Sequence, residues 1–218
     1  MWLRPSSHNR SFELAILKGP MSVRRYRLKD SPPEGYRLKY SDALEAHAFR
    51  EPHSLTHREE VVGWVEHQNM LDTNFEDINT WFYEPYALFT LRLDKKVLPV
   101  KWVKALRDQR VREWCENNAQ KMAPSAVKRD IKDAVETELL AKTMPRVQLT
   151  EVCWNLDEGW VLFHSQSVRV NDIFRKRFHA TFGLELHAEH PLEWLPEDLA
   201  IALEGVGATD FRRRSDVS

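Results

Sequence analysis

The sequence is poor in cysteine and contains no long apolar run, and both absences exclude classes of protein. Two cysteines, Cys115 and Cys153, occur in 218 residues, each within an apolar periodic segment. This is too few for a disulfide-stapled secreted domain, so we expect reduced core thiols. No apolar stretch approaches the roughly 20 residues that span a bilayer, and residues 14–17 form too short a run for a signal peptide. We therefore expect a cytoplasmic protein that does not contact a membrane.

Signatures of catalysis and of cofactor binding are also missing. The seven glycines form no Gly-rich phosphate loop, and no Ser, His and Asp arrangement has the spacing of a hydrolase family. Three histidines, His179, His187 and His190, lie near Glu185 and Glu189 without a compact ligand pattern. The sequence therefore predicts neither a metal nor another cofactor, and no enzymatic activity.

What the chain does have is a sizeable apolar fraction and an uneven distribution of charge. Hydrophobic residues make up 42% of the sequence, enough to bury a core. The net charge is only −1, yet residues 30–84 contain 12 acidic and 4 basic side chains, and residues 95–132 contain 11 basic and 4 acidic ones. Clustered cations supply most of the affinity of non-specific DNA binding, so residues 95–132 become the candidate interface.

Hydrophobic periodicity predicts an α+β fold made of two small antiparallel sheet-plus-helix halves, β-α-β-β and β-β-α-β, joined by a basic helical pair. In the first half Ser41 is expected to cap a short helix that ends at Ala48. The other predicted strands and helices of the halves are strands at 23–28, 61–65, 86–93, 147–154, 160–164 and 184–187, a helix at 170–178 that ends at Gly183, and a short helix at 196–203.

The basic helical pair is expected to begin at Pro99, whose fixed φ suits a first turn, and to continue until Pro124 ends the first helix. Ser125 then caps the second helix. The resulting division is an extension at 1–20, an N-terminal α+β subdomain at 21–94, the basic segment at 95–143, a C-terminal α+β subdomain at 144–204 and a flexible basic tail at 205–218.

Together with this order of elements, several short stretches resemble the recombination-associated protein RdgC family. The matching stretches are residues 21–28, Gly63-Trp64-Val65, residues 96–99, residues 128–133, Met144-Pro145-Arg146, Trp154 before a hairpin, and residues 190–193. The similarity covers residues 21–195, and the chain resembles a short, C-terminally abbreviated member.

The resemblance implies a sequence-independent DNA-binding protein that forms dimeric rings with a positive central hole and restrains recombinase filaments. It implies duplex DNA as the main partner, with single-stranded DNA as a second candidate, a second copy of the chain as a homodimer partner, and a recombinase or its DNA filament as a further partner. It also implies a nucleoid-associated location.

Ten basic residues are the candidate DNA contacts, acting on phosphates without reading bases. They are Lys101, Lys104, Arg112, Lys121, Lys128, Arg129, Lys132, Arg175, Lys176 and Arg177. Tryptophans could also stack on bases, but Trp64, Trp154 and Trp160 on strands and Trp114 on an apolar helix face are expected in the core.

Two alternatives to a DNA-binding protein that lacks catalytic activity stay open. Asp94 and Lys96, after a long strand, have the spacing with which some nucleases hold Mg²⁺ and the attacking water, and Glu66, Asp72 or Glu84 would supply the second carboxylate. Alternatively, the basic segment contacts an acidic protein surface and the chain is an assembly module that does not bind DNA.

Overall fold

The computed structural model describes residues 22–30, 32–51, 59–189, 196, 198, 199 and 201. The predicted extension at 1–20, the predicted tail at 205–218 and the stretch at 190–193 lie outside the described residues.

The described residues form seven strands and four α-helices. The strands are β1 (Arg24–Leu28), β2 (Glu60–Glu66), β3 (Phe82–Tyr83), β4 (Tyr86–Lys95), β5 (Arg146–Asn155), β6 (Trp160–Phe163) and β7 (Leu186–Ala188). The helices are α1 (Tyr36–Ala46), α2 (Val100–Asn117), α3 (Ser125–Lys142) and α4 (Val168–Phe182).

All seven strands lie in one antiparallel sheet, in the order β2-β4-β5-β6-β1-β7, with β3 paired to β4. The α+β class with antiparallel pairing is thus confirmed. The strands of the two predicted halves share this sheet because β1, from the first half, pairs with β6 and β7 from the second. How the chain divides into domains stays a prediction.

Helices α1 and α4 cover one face of the sheet, and the core between them is rich in aromatic rings. Phe163 of β6 stacks on Phe174 of α4 with ring centroids 4.0 Å apart. The Trp64 indole donates a hydrogen bond of 2.8 Å to the Thr181 hydroxyl, so a buried polar atom of β2 is satisfied by α4. Such close packing makes the sheet a rigid base for the elements attached to its ends.

Helix α1 begins earlier than predicted and Ser41 is not its cap. The helix starts after Gly35, which has φ 69°, so Ser41 falls in its interior. There the buried Ser41 hydroxyl donates a hydrogen bond to the Phe75 carbonyl oxygen. A serine that bonds to a distant backbone group stabilises a tertiary contact instead of a helix terminus.

Both cysteines are free thiols, and burial raises the pKa of Cys153 to about 11. This protonated, buried thiol fits the expected role as a small core residue. Among the described residues, no helix is long and apolar enough to cross a membrane.

Gly63 in β2 is required by the close approach of a neighbouring segment. A Cβ at this position would lie 2.3 Å from the Cα and 2.5 Å from the backbone nitrogen of Phe49. Phe49 in turn hydrogen-bonds through its N–H to the Trp64 carbonyl at 2.8 Å. We expect Gly63→Ala to lower the free energy of unfolding by about 2–3 kcal/mol, because backbone atoms cannot move aside as a flexible side chain can.

Urea denaturation of the purified variant measures this loss. Gly35→Ala is the control, since a Cβ there meets nothing within 4 Å and only its left-handed φ is penalised, at about 1 kcal/mol. Equal losses in the two variants would contradict the steric explanation.

Candidate nucleic-acid interface

The predicted basic helical pair forms a two-helix arm that extends from the ends of the paired strands β4 and β5. Helices α2 and α3 connect β4 to β5, and the last residue of β4, Lys95, is paired with the first of β5, Arg146. The two helices pack chiefly against each other. In α2 no side chain is fully buried, and in α3 only Val135 is. This helical arm (residues 96–145) therefore exposes most of its surface.

An ion-pair cluster joins the two helices of the arm. Arg110 of α2 binds Glu138 of α3, and Lys142 binds the same carboxylate at 2.7 Å. Hydrogen bonds from Lys142 and Arg110 lower the pKa of Glu138 to about 2. Arg110 thus serves the packing of the arm.

All seven predicted DNA contacts of the arm have exposed side chains. They are Lys101, Lys104, Arg112, Lys121, Lys128, Arg129 and Lys132. Lys132 lies 3.7 Å from Glu136. Within the described part of the chain, no carboxylate comes within 4.0 Å of the other six. Cations in this state can exchange water and counterions for phosphate oxygens without breaking an internal ion pair.

A half-open cleft of about 390 Å³ lies at the base of the arm, and the structure brings two of the predicted cations together in it. Five cations, one carboxylate and four aliphatic side chains line it: Lys95, Lys96, Lys104, Arg107, Lys132, Glu136, Val97, Leu98, Val100 and Val103. Lys104 and Lys132 come from different helices, so α2 and α3 both contribute to this positive surface.

Two of these cations also hold the arm in place. Lys95 Nζ donates to Glu60 at 2.8 Å, and Lys96 Nζ donates to the Leu140 carbonyl at 2.7 Å. The Glu60 carboxylate also binds Arg169, and hydrogen bonding from Lys95 is the main cause that lowers its pKa. Lys104 is therefore the cleft cation best placed to accept a new anion.

The three predicted cations of α4 do not lie in this cleft. Arg175 and Lys176 are exposed and line a separate cleft of about 350 Å³, where Asp172 and Glu185 balance their charge. Arg177 is half-buried and donates a hydrogen bond of 2.9 Å to the His47 carbonyl, and burial lowers its pKa. The guanidinium of Arg177 thus ties α4 to the end of α1.

The nuclease alternative does not fit the geometry around Asp94. This carboxylate is 2% exposed, and Arg92 binds its two oxygens at 3.0 and 2.8 Å. Lys96 points to Leu140 instead. Among the described residues, no three His, Cys, Asp or Glu side chains form a group that could hold a metal ion. In this structure Asp94 is thus engaged by Arg92, and Lys96 by the Leu140 carbonyl.

Sequence reasoning missed two features of this interface. Arg107 was not among the candidate contacts, yet it lines the cleft and pairs with Asp108 at 2.6 Å. Trp102 is 57% exposed. Trp64 and Trp154 are buried as predicted, whereas Trp114 and Trp160 are only partly buried. At about 100° per residue Trp102 lies on the flank of the Val103 face of α2, so helical periodicity alone did not indicate its exposure.

A family model described as "Putative exonuclease, RdgC" matches residues 22–191, most of the chain and nearly all of the described residues. A search of curated proteins found no match to the chain. The family match agrees with the resemblance carried by Gly63-Trp64-Val65, by residues 96–99 and by residues 128–133. The chain therefore belongs to the RdgC family of recombination-associated proteins.

Proposed function

We propose that this protein binds duplex DNA without sequence preference through the cations of its helical arm. The observation that carries the proposal is the set of exposed arm cations without an ion-pair partner among the described residues. Lys and Arg contacts to phosphates fix the position of a protein on DNA and carry no sequence information.

The overall charge of −1 does not oppose this proposal. Phosphate binding depends on the local density of cations, and the basic side chains are concentrated in the segment at 95–132. The arm is attached to a rigid sheet through paired strand ends, Lys95 opposite Arg146. A fixed arm loses less conformational entropy on binding than a disordered basic tail would.

The biological role that we propose is modulation of recombination or repair, in a nucleoid-associated homodimer. A protein bound along the phosphate backbone occupies DNA that a recombinase filament would otherwise cover. Pairing two chains would place two arms on one DNA molecule, and affinity would rise through the high effective concentration of the second arm. A recombinase or its DNA filament is accordingly a proposed partner.

The proposed protein binds DNA and does not cleave it, although the family description names an exonuclease. The two side chains of the nuclease alternative are both engaged, since Asp94 is held by Arg92 and Lys96 by the Leu140 carbonyl.

Fluorescence anisotropy with labelled duplexes tests the proposal. Two unrelated sequences of equal length should bind with affinities that agree within a factor of about three, because backbone contacts do not distinguish bases. Single-stranded DNA of the same length serves as the comparison, and sedimentation reports the dimer. Self-association with no binding to any DNA would instead favour the assembly module.

A further inference from the structure

The cleft at the base of the arm combines two kinds of lining that a purely ionic phosphate site does not need. Lys104 and Lys132 supply positive charge, whereas Arg107 is paired with Asp108 at 2.6 Å and Glu136 lies 3.7 Å from Lys132. Beside them lie aliphatic side chains, of which Val100 is 81% exposed and Val97 55% exposed. A ligand with both an anionic and an apolar part can bind such a surface, because its anion pairs with the cations while its apolar part removes the aliphatic side chains from water.

Paired duplex DNA is a poor match for this combination. Its outer surface consists of phosphates and sugars, and its bases are stacked inside. An unpaired nucleotide presents both parts at once, because the free base has apolar faces and the strand still carries a phosphate. The cleft volume of about 390 Å³ falls within the range of small-ligand sites, about 300–1,000 Å³.

We infer that this cleft binds one unpaired nucleotide of a DNA strand, with the phosphate at Lys104 and Lys132 and the base against Val97, Val100 and Val103. The inference rests on the proposed DNA binding and deepens it by naming the substrate as DNA with a single-stranded segment or a frayed end. The arm then distinguishes DNA by its structure while ignoring its sequence.

Two charge-matched variants of α2 separate the cleft from the rest of the arm. Val100→Glu places a carboxylate among the lining residues, at a position exposed enough to accept it without refolding. Ala105→Glu makes the same change of charge on the same helix, at an exposed residue that does not line the cleft. General repulsion of phosphates should be similar in both, and circular dichroism verifies that both keep their helices.

The measurement is anisotropy of two DNAs of equal duplex length, one blunt and one with a short single-stranded overhang. We expect the wild-type protein to bind the overhang DNA about tenfold more tightly, the gain that one base contact typically gives. Ala105→Glu should retain this ratio, whereas Val100→Glu should reduce it to about one. A mononucleotide such as dTMP should compete for the overhang DNA in the wild type and fail to do so in Val100→Glu.

Equal ratios in the two variants would overturn the inference, as would a wild-type ratio of one. Tight binding of the blunt duplex with a ratio of one would leave the proposed function intact, whereas no binding to either DNA would remove both. If an oligo-glutamate peptide binds in a Val100-dependent manner while the overhang has no effect, the cleft belongs to an acidic protein partner and the nucleotide assignment is wrong.

Discussion

Exchange of Lys128, Arg129 and Lys132 for alanine should weaken binding to duplex DNA by about two to three orders of magnitude in about 0.1 M salt. Each phosphate contact that is lost leaves its counterion on the DNA, and the entropy of releasing that ion is the main source of non-specific affinity. The loss should be equal on unrelated sequences because the three cations contact phosphates alone. Anisotropy titrations with two labelled duplexes measure it.

The triple exchange should leave the arm folded. All three side chains are exposed on α3, and the ion pair of Lys132 with Glu136, at 3.7 Å, is of the weak surface kind. Alanine also has the highest helix propensity. A matched control removes two lysines and one arginine elsewhere, through Lys29→Ala, Lys39→Ala and Arg50→Ala, at exposed sites outside the arm. If both triple variants lose the same affinity, net charge and not the arm determines binding.

The exchange Asp94→Ala should lower the free energy of unfolding by about 3 kcal/mol, because it removes the carboxylate that binds the buried guanidinium of Arg92 at 2.8 Å and leaves it only the exposed Glu51 carboxylate, 4.0 Å away. Arg92 is only 6% exposed, lies 4.0 Å from the Phe49 ring and reaches the Met70 carbonyl at 3.1 Å. It cannot turn to water without disturbing those contacts. Urea denaturation, monitored by tryptophan fluorescence, gives the change.

A double variant separates this structural role from catalysis. Replacing both Arg92 and Asp94 by leucine removes the charged pair together, and it should recover a large part of the lost stability. Neither variant should change the rate at which labelled DNA is degraded with Mg²⁺ or Mn²⁺. Cleavage that depends on the metal and disappears in a folded Asp94 variant would show that the carboxylate is catalytic.

Much of the fold could be predicted from local patterns, because the signals concerned are local. Alternation of apolar side chains predicted β2 and β4 near their observed bounds, and the left-handed conformation of Gly183, with φ 71°, ends α4 as expected. Such local patterns could not predict that β1 pairs with β6 and β7. Hydrophobic period reveals which face of a strand is buried, but it does not reveal which distant strand lies beside it.

The residue pattern of β4 explains why the burial of Arg92 and Asp94 was not predicted from the sequence. Thr90, Arg92 and Asp94 alternate with apolar residues, a pattern typical of a strand with one solvated face. In the structure all three are buried, and the Phe49 ring and the Met70 carbonyl both lie against the guanidinium of Arg92. These tertiary contacts, which the local pattern of β4 does not contain, accompany the burial of the Arg92–Asp94 ion pair.

The charge of the candidate site could be predicted from the sequence, whereas its shape could not. Counting Lys and Arg identified the segment that became the arm, because charge density is a property of composition. The cleft depends on Lys104 of α2 and Lys132 of α3 lining one space, and on Lys95 and Lys96 at the strand end. Arg177 was chosen on charge as well, but its hydrogen bond to His47 emerges only once α1 and α4 are packed.

The slope of log K against log salt concentration tests most directly whether arm cations contact DNA phosphates. Each contact contributes about −0.9 to that slope on duplex DNA, so the account predicts a slope shallower by about 2.7 for the Lys128, Arg129 and Lys132 triple variant than for the wild type. The Lys29, Lys39 and Arg50 control should keep the wild-type slope. Parallel lines for the wild type and the arm variant would contradict the account, because they would mean that these three side chains release no counterions on binding.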